Sequence, residues 1–276
     1  MRGLRSFGKR FALYFFALLF LIFMGYPFLY MLSTSLKTQS EFFERPTALW
    51  GNYVFDNFKL VFELGIDKYF VNSLIVSAIS VTLVILTAAM VSYPLARIRF
   101  KLNRPIYYLF LAGMMIPVHT TLIPVYILTR QVGLYDKLGS LIGPYVAFSL
   151  PISIIILAQF VKEIPKEMDE AAIVDGSSHG GLFWRVLFPL LTPAIATVGI
   201  YNFIHIWNEF VFGLILLTTP SKMTLPLGLR VFYGEFSVNI PGIMAAITIG
   251  TMPLLLVYFM AQEKVVRGLS AGAVKG

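Results

Sequence analysis

Few side chains in this sequence are spaced for chemistry, and the best spaced are a histidine and a carboxylate. His205 and Glu209 lie four residues apart, which on a helix puts both on one face. Such a pair could hold a metal or carry a proton. Either task needs a second histidine or carboxylate nearby, and none stands close in sequence. His119 and His179 fit structural or surface positions. No Ser/His/Asp arrangement or paired-carboxylate site is visible, cysteine is absent, and there is no G-x-x-x-x-G-K-[ST] loop to hold ATP. The sequence therefore predicts no catalytic residue, no metal site and no cofactor in this chain. Asn208 and Glu209 read instead as polar groups that should face protein or water.

A second constellation points to mechanical coupling rather than bond-making. It lies in residues 162–189. Pro165 can open a helix in its first turn, and Lys166–Val174 is good helix-forming sequence. Asp175-Gly176 is a turn signal, because glycine reaches positive φ without penalty. Ser177 or Ser178 can cap a second short helix through Phe188, which Pro189 is expected to end. The product is a helix–turn–helix elbow lying along the membrane surface. Ala171, Ala172 and Gly176 are small enough to let another backbone approach. Glu170 and Asp175 offer charge for pairing, and Phe183 and Trp184 offer apolar anchors. Such an elbow could pass a rigid-body push from a cytoplasmic protein into its flanking spans. A plain amphipathic surface helix is the other reading of the same residues.

Both constellations need a membrane frame. Of 276 residues, 58% are hydrophobic and 13% charged, against roughly 25% charge in a soluble domain. The long apolar runs predict transmembrane helices at Phe11–Leu32, Val71–Ala96, Pro105–Thr129, Leu138–Phe160, Leu190–Thr219 and Ile240–Gln262. Each is long enough for a hydrocarbon core of about 30 Å, and lipid offers backbone groups no partner outside a helix. Pro117, Pro124, Gly143, Pro144 and Pro151 interrupt the third and fourth runs, as in the broken helices of transporters. The first run has no Ala-x-Ala-like site after it and reads as a retained span. The predicted fold is an all-α integral membrane protein, one transmembrane domain over residues 1–276.

Basic residues orient it. Fourteen of the 22 Lys and Arg residues fall before the first span, at 97–104, at 162–185, or after the sixth span. The positive-inside rule makes that face cytoplasmic, together with both termini and the elbow. The net charge of +8 is thereby topological, and no basic face is left for nucleic acid. The outside loop, residues 33–69, carries Trp50, Tyr53 and Phe55. It could meet an extracytoplasmic partner or act as a connector with interfacial aromatic anchors.

Glu170-Ala171-Ala172, then three residues, Gly176, nine residues, an aliphatic position and a proline resembles the EAA loop of ABC-importer membrane subunits. Val186 stands where Ile is usual, Phe188 where Leu is usual, and Pro189 matches. The resemblance extends along nearly the whole chain. Met115-Ile116-Pro117, Leu122-Ile123-Pro124, Gly133-Leu134-Tyr135-Asp136 and Trp207-Asn208-Glu209 are similar to landmarks of the carbohydrate-importing branch. The tail at 263–276, with Gly268, Leu269, Gly272 and Lys275, resembles that of the subunit type related to the maltose importer's G permease. The resemblance implies a six-span permease subunit in a bacterial cytoplasmic membrane, beside a second, similar permease and in contact with lipid. It implies two cytoplasmic ATPase subunits, which bind ATP and Mg, and an extracytoplasmic sugar-binding protein. It also implies ATPase coupling through Glu170, Ala171, Ala172, Asp175, Gly176, Phe183 and Pro189, and a translocation path near Met115, Pro117, Trp207, Asn208 and Glu209. The glycine-rich tail is too flexible for a stable helix on its own; it is expected to be ordered by insertion between the ATPase subunits, a frayed terminus being the other reading. An ion- or proton-coupled transporter should carry inverted repeats and more intramembrane acids, and an integral membrane enzyme should carry a catalytic set.

Overall fold

A computed structural model describes residues 2–230 and 239–273 of the chain. Among the described residues every regular element is helical. In chain order the helices are α1 (Arg2–Ser35), α2 (Gln39–Glu44), α3 (Asp56–Glu63), α4 (Ile66–Arg97), α5 (Asn103–Gly113), α6 (Leu122–Gln131), α7 (Gly139–Glu163), α8 (Glu167–Val174), α9 (His179–Leu182), α10 (Phe188–Leu190), α11 (Thr192–Trp207), α12 (Val211–Leu216), α13 (Leu225–Gly228) and α14 (Ile240–Ala273).

The chain is a multi-pass membrane protein. Leu13–Ser35 within α1, all of α4, all of α7 and Ile240–Met260 within α14 are each long and apolar enough to cross a bilayer. Two further apolar stretches are bent pairs: α5 meets Val118–Gln131 at 94°, and His179–Leu190 meets α11 at 72°. The runs at 105–129 and 190–219 are therefore not the single helices their hydropathy predicted. In the first, Pro117 adopts extended backbone, and a proline also drives the residue before it out of helical geometry. In the second, α11 stops at Trp207 and Leu217 is already extended. Pro189 does not end the second elbow helix. It sits in the first turn of α10, where a missing N–H costs no hydrogen bond, and the bend falls at Leu191.

Two compact units divide the described residues. One takes those of 1–67 and 229–252, the other those of 68–228 and 253–276. In the first, the segment after α1 is folded around a lysine. Lys37 is fully buried, and its ammonium donates to the carbonyls of Arg45, at 3.3 Å, and Ala48. Asn57 of α3 donates to the carbonyls of Ser35 and Lys37 at 2.9 and 2.7 Å. A buried ammonium is tolerable only when its donors are answered in this way. The predicted outside loop thus holds two short helices around an interior peg.

In the second unit, one core gathers Ala88, Ala89 and Tyr93 of α4, Ile154 and Leu157 of α7, and Ala194 and Val198 of α11. Small residues let these helices approach closely, as membrane packing favours. Asn202 of α11 donates to Ser153 Oγ of α7 at 2.9 Å, a polar tie between two apolar helices. A second core joins Val76, Leu141, Tyr145 and Ile206 to Phe212, Leu216 and Leu227.

Candidate functional site

The elbow predicted from residues 162–189 is present and stands on the second unit. α8 carries Glu167, Asp169 and Glu170 in its first turn, where carboxylates complement the positive end of the helix dipole. Gly176 closes it at φ +82°. The amides of Gly176 and Ser177 return to the carbonyls of Ile173 and Ala172, both at 2.9 Å. Ser178 then caps α9, its Oγ accepting from the Gly181 amide at 3.2 Å. Phe183–Leu187 widen into a π turn, a rare form that recurs at functional positions.

The elbow is fixed from beneath. Ala172, Leu182, Phe183 and Leu187 are buried in the core with α4 and α7. Tyr93 Oη lies 3.1 Å from His179 Nδ1, which gives that histidine a structural place. At the end of α4, Arg97 Nε lies 2.9 Å from Asp169 Oδ2, with only 6% and 14% of the two side chains exposed. Arg97 Nη2 also donates to the Ile164 carbonyl at 2.6 Å. One guanidinium thus ties α4 to both ends of the link between α7 and α8. Neither Arg97 nor Asp169 stood out in the sequence, because nothing local announces a pair this distant in the chain.

Two residues expected on the docking face point inward. Ala172 and Phe183 are buried, since one side of an amphipathic elbow must cover the bundle beneath it. Glu170, Ala171, Asp175, Gly176 and Pro189 are exposed. So are three apolar side chains that the motif did not single out, Met168, Ile173 and Val174, the last 86% exposed. Trp184 is the elbow's exposed aromatic, beside a groove of about 520 Å³ that runs from Asp175 to Arg185. The arrangement is an elbow packed on α4 and α7, with apolar and acidic side chains on its outer face.

The residues expected along a path are not gathered at one place. Trp207 is buried, edge-on to Phe70 at 5.4 Å and stacked on Phe203 at 5.5 Å; its bulk serves the core. Asn208 is exposed, and its amide donates to the Ile204 carbonyl at 2.8 Å, closing α11. Met115 and Pro117 are exposed on the 94° bend. Glu209 alone borders a cavity, of about 220 Å³, shared with Tyr145, Phe148, Tyr201, Asn202 and His205. Its Oε2 accepts from Tyr145 Oη at 2.6 Å, and its Oε1 accepts from the Phe212 amide at 2.8 Å, capping α12. His205 lies against the Tyr201 ring, with centroids 4.3 Å apart. Among the described residues no group of three ligating side chains could hold a metal.

Glu209→Ala is expected to destabilise the chain, because Tyr145 and the Phe212 amide both lose their acceptor at about 1–3 kcal/mol for each buried donor stranded. Glu209→Gln keeps one acceptor oxygen and should fall between. Thermal unfolding of the purified protein reads the order wild type, Gln, Ala. An Ala variant as stable as wild type would remove the capping role.

A second fixed point joins the turn before α7 to the segment after α12. Asp136 takes φ +55°, which aspartate tolerates better than most residues. Its carboxylate accepts from the Thr219 hydroxyl, from the amides of Thr219 and Thr218, both at 2.9 Å, and from Lys222 Nζ at 3.0 Å. The Thr219 hydroxyl first, then these amides, hold its pKa well below the usual carboxylate range. A depressed pKa contributes stability above the unfolded value, and that contribution is lost as pH falls. Wild type should lose thermal stability progressively as pH falls below about 5, because the unfolded chain takes up a proton at the ordinary carboxylate value while the folded Asp136 carboxylate stays ionised well below it. Asp136→Asn should begin less stable at pH 7 and show a flatter acid profile; parallel profiles would contradict the clasp.

The expected tail differs in form. α14 runs on to Ala273, so Gly268, Leu269 and Gly272 lie in helix; Lys275 lies outside the described residues. The preceding span supplies the nucleus that an isolated segment would have to make for itself, which the glycine content alone did not reveal.

Residues 82–271 match the family described as binding-protein-dependent transport system inner membrane component. The chain is 47% identical over 251 residues to an ABC transporter permease protein of Caldicellulosiruptor sp. (strain Rt8B.4), covering 91% of each chain. It is 34% identical to the sulfoquinovosyl glycerol transport system permease protein of Agrobacterium fabrum, over 99% of this chain and 97% of that one. Among solved structures, a chain of a bacterial ABC transporter that imports the acidic polysaccharide alginate superposes with a TM-score of 0.82 at 21% identity, covering 95% of this chain and 98% of that one. At that identity the likeness carries the fold.

Proposed function

The chain belongs to the family of binding-protein-dependent transport system inner membrane components, and on that premise we propose that it is the membrane-spanning permease subunit of an ATP-driven importer for a sugar or oligosaccharide. The observation that carries the reading is the elbow: a motif-bearing helix with an exposed apolar and acidic face, held to α4 through a buried ion pair and packed on α4 and α7 through an apolar core. Relatives whose substrates are sugar derivatives, such as the sulfoquinovosyl glycerol permease, support the substrate class. Counting each bent pair as one span gives six, with both termini and the elbow on the cytoplasmic face of a bacterial cytoplasmic membrane.

The chain works beside a second, similar permease. Two cytoplasmic ATPase subunits bind ATP and Mg, and an extracytoplasmic binding protein delivers the sugar. Closure of the ATPase pair pushes the elbow through Glu170, Asp175 and the apolar side chains around Val174. Because Arg97 ties that elbow to α4, the push reaches the bundle as a rigid-body movement and not as local bending. The permeases then alternate between outward- and inward-facing states around the path between them. The test is reconstitution of the chain with its partner permease and ATPase subunits in liposomes. ATP inside the compartment corresponding to the cytoplasm should drive uptake of sugar presented with the binding protein. Uptake driven by an ion gradient without ATP would overturn the reading.

The tail belongs to the same assembly. Deleting Gly268–Gly276 is expected to weaken association with the ATPase subunits and to lower coupled uptake while the chain still inserts. A truncated complex that purifies intact and transports at the full rate would exclude a docking role for these residues.

A further inference from the structure

The link between α4 and α5 forms a pocket of about 830 Å³, unlike the other cavities in its charge. Arg99, Lys101, Arg104, Lys162 and Lys166 line it, and no carboxylate does. None of the five forms an ion pair among the described residues. Arg97, at the rim, is already taken by Asp169. Asn103 folds the link back on itself, donating to the carbonyls of Leu95 and Ile98 at 3.1 and 3.0 Å. The fold therefore holds like charges together, an arrangement that an anion relieves.

The walls say which anion. Tyr107 and Tyr108 line the pocket one turn into α5, the first half of an apolar bent span. Aromatic side chains at such a position mark headgroup depth. Lys162 Nζ stands 5.6 Å from the centre of the Tyr107 ring, so its charge is held over an aromatic face. Leu102, Tyr108 and Leu109 are all exposed. A soluble anion has no use for this apolar rim, whereas acyl chains would cover it.

We propose that this pocket binds the phosphate of an anionic phospholipid headgroup, its acyl chains lying along α5. The proposal takes the pocket's face to be cytoplasmic, as in the function proposed above, where basic pockets between membrane helices meet anionic lipid. Its occupant would sit beside the Arg97–Asp169 pair, so lipid composition would bear directly on how firmly the elbow is held.

The experiment uses the full complex in phosphatidylcholine nanodiscs doped with a photoactivatable phosphatidylglycerol or, separately, a photoactivatable phosphatidylcholine. Labelled peptides are mapped by mass spectrometry. The phosphatidylglycerol probe should label residues 97–108 and the phosphatidylcholine probe should not. Each basic residue near a surface is worth about fivefold in affinity for anionic lipid, so Arg99→Gln/Lys101→Gln/Arg104→Gln should lose labelling by more than about tenfold. Arg99→Lys/Arg104→Lys should retain it, which separates lost charge from misfolding. Equal labelling by both probes, or wild-type labelling of the triple Gln variant, would overturn the proposal. Displacement of the probe by millimolar inorganic phosphate would assign the pocket to a soluble anion and overturn it equally. Both leaflets carry the same lipid, so the result does not depend on orientation, and sugar uptake by the same complex tests the importer reading separately.

Discussion

Gly176→Leu is expected to abolish ATP-coupled uptake while leaving the chain inserted and folded. Gly176 sits at φ +82°, and no atom lies within 4 Å of where its Cβ would be. The chain therefore has room for a side chain, and the internal cost is backbone strain of about 1–2 kcal/mol. Gly176 is exposed at the tip of the elbow, so added bulk projects towards a docked partner. Loss of about 1.4 kcal/mol in docking is a tenfold loss in affinity, and a leucine at the tip of the elbow should exceed it. Gly176→Ala carries similar strain with less bulk, and Gly176→Asn relieves part of the strain; both should retain more uptake than Leu. Glu170→Lys reverses an exposed charge on the same face and should uncouple without touching the core. Wild-type uptake and ATP hydrolysis in the Leu and Lys variants would remove the elbow from the coupling path.

Arg97→Met should be the most damaging single change beneath the elbow. It strands Asp169 with little solvent, a situation that typically costs about 3–5 kcal/mol. It also frees the Ile164 carbonyl, so the link from α7 to α8 loses both attachments to α4. The expected result is a complex that still hydrolyses ATP but imports little, because the elbow then meets α4 only through the apolar core and the Tyr93–His179 contact and passes the push on less firmly. Asp169→Asn should behave similarly and more mildly. The double variant Arg97→Met/Asp169→Leu should regain stability, since replacing a buried pair by apolar groups is often neutral. If it regains stability but not uptake, the ion pair transmits motion; full coupling in Arg97→Met would contradict that role.

The elbow was legible in the sequence because its signals are local. A turn glycine, a capping serine and a run of helix formers lie within a few residues of each other, and Ser178 and Gly176 do what their types predict. Four of the apolar runs were legible as long helices for a similar reason, since hydropathy integrates over a window. What the sequence could not show is which side of a short helix faces home. Phe183 and Trp184 are neighbours of like chemistry, yet one is buried and the other exposed, and only the position of α4 and α7 decides between them. Arg97 and Asp169, or Tyr145 and Glu209, are pairs whose members lie far apart in the chain, so their meeting is a property of packing alone. The breaks at Pro117 and Leu191 were partly visible as prolines, but the angle of a bend depends on what the helix turns towards.

The most direct test of the coupling claim is a single thiol. Val174→Cys places one cysteine at the most exposed apolar point of the elbow in a chain that otherwise has none. A membrane-impermeant maleimide applied to inside-out and right-side-out vesicles, with and without the ATPase subunits, reads both side and contact. The account predicts labelling only from the cytoplasmic face, and strong protection when the ATPase subunits are bound. Labelling from the outer face, or labelling that the ATPase subunits leave unchanged, would contradict it.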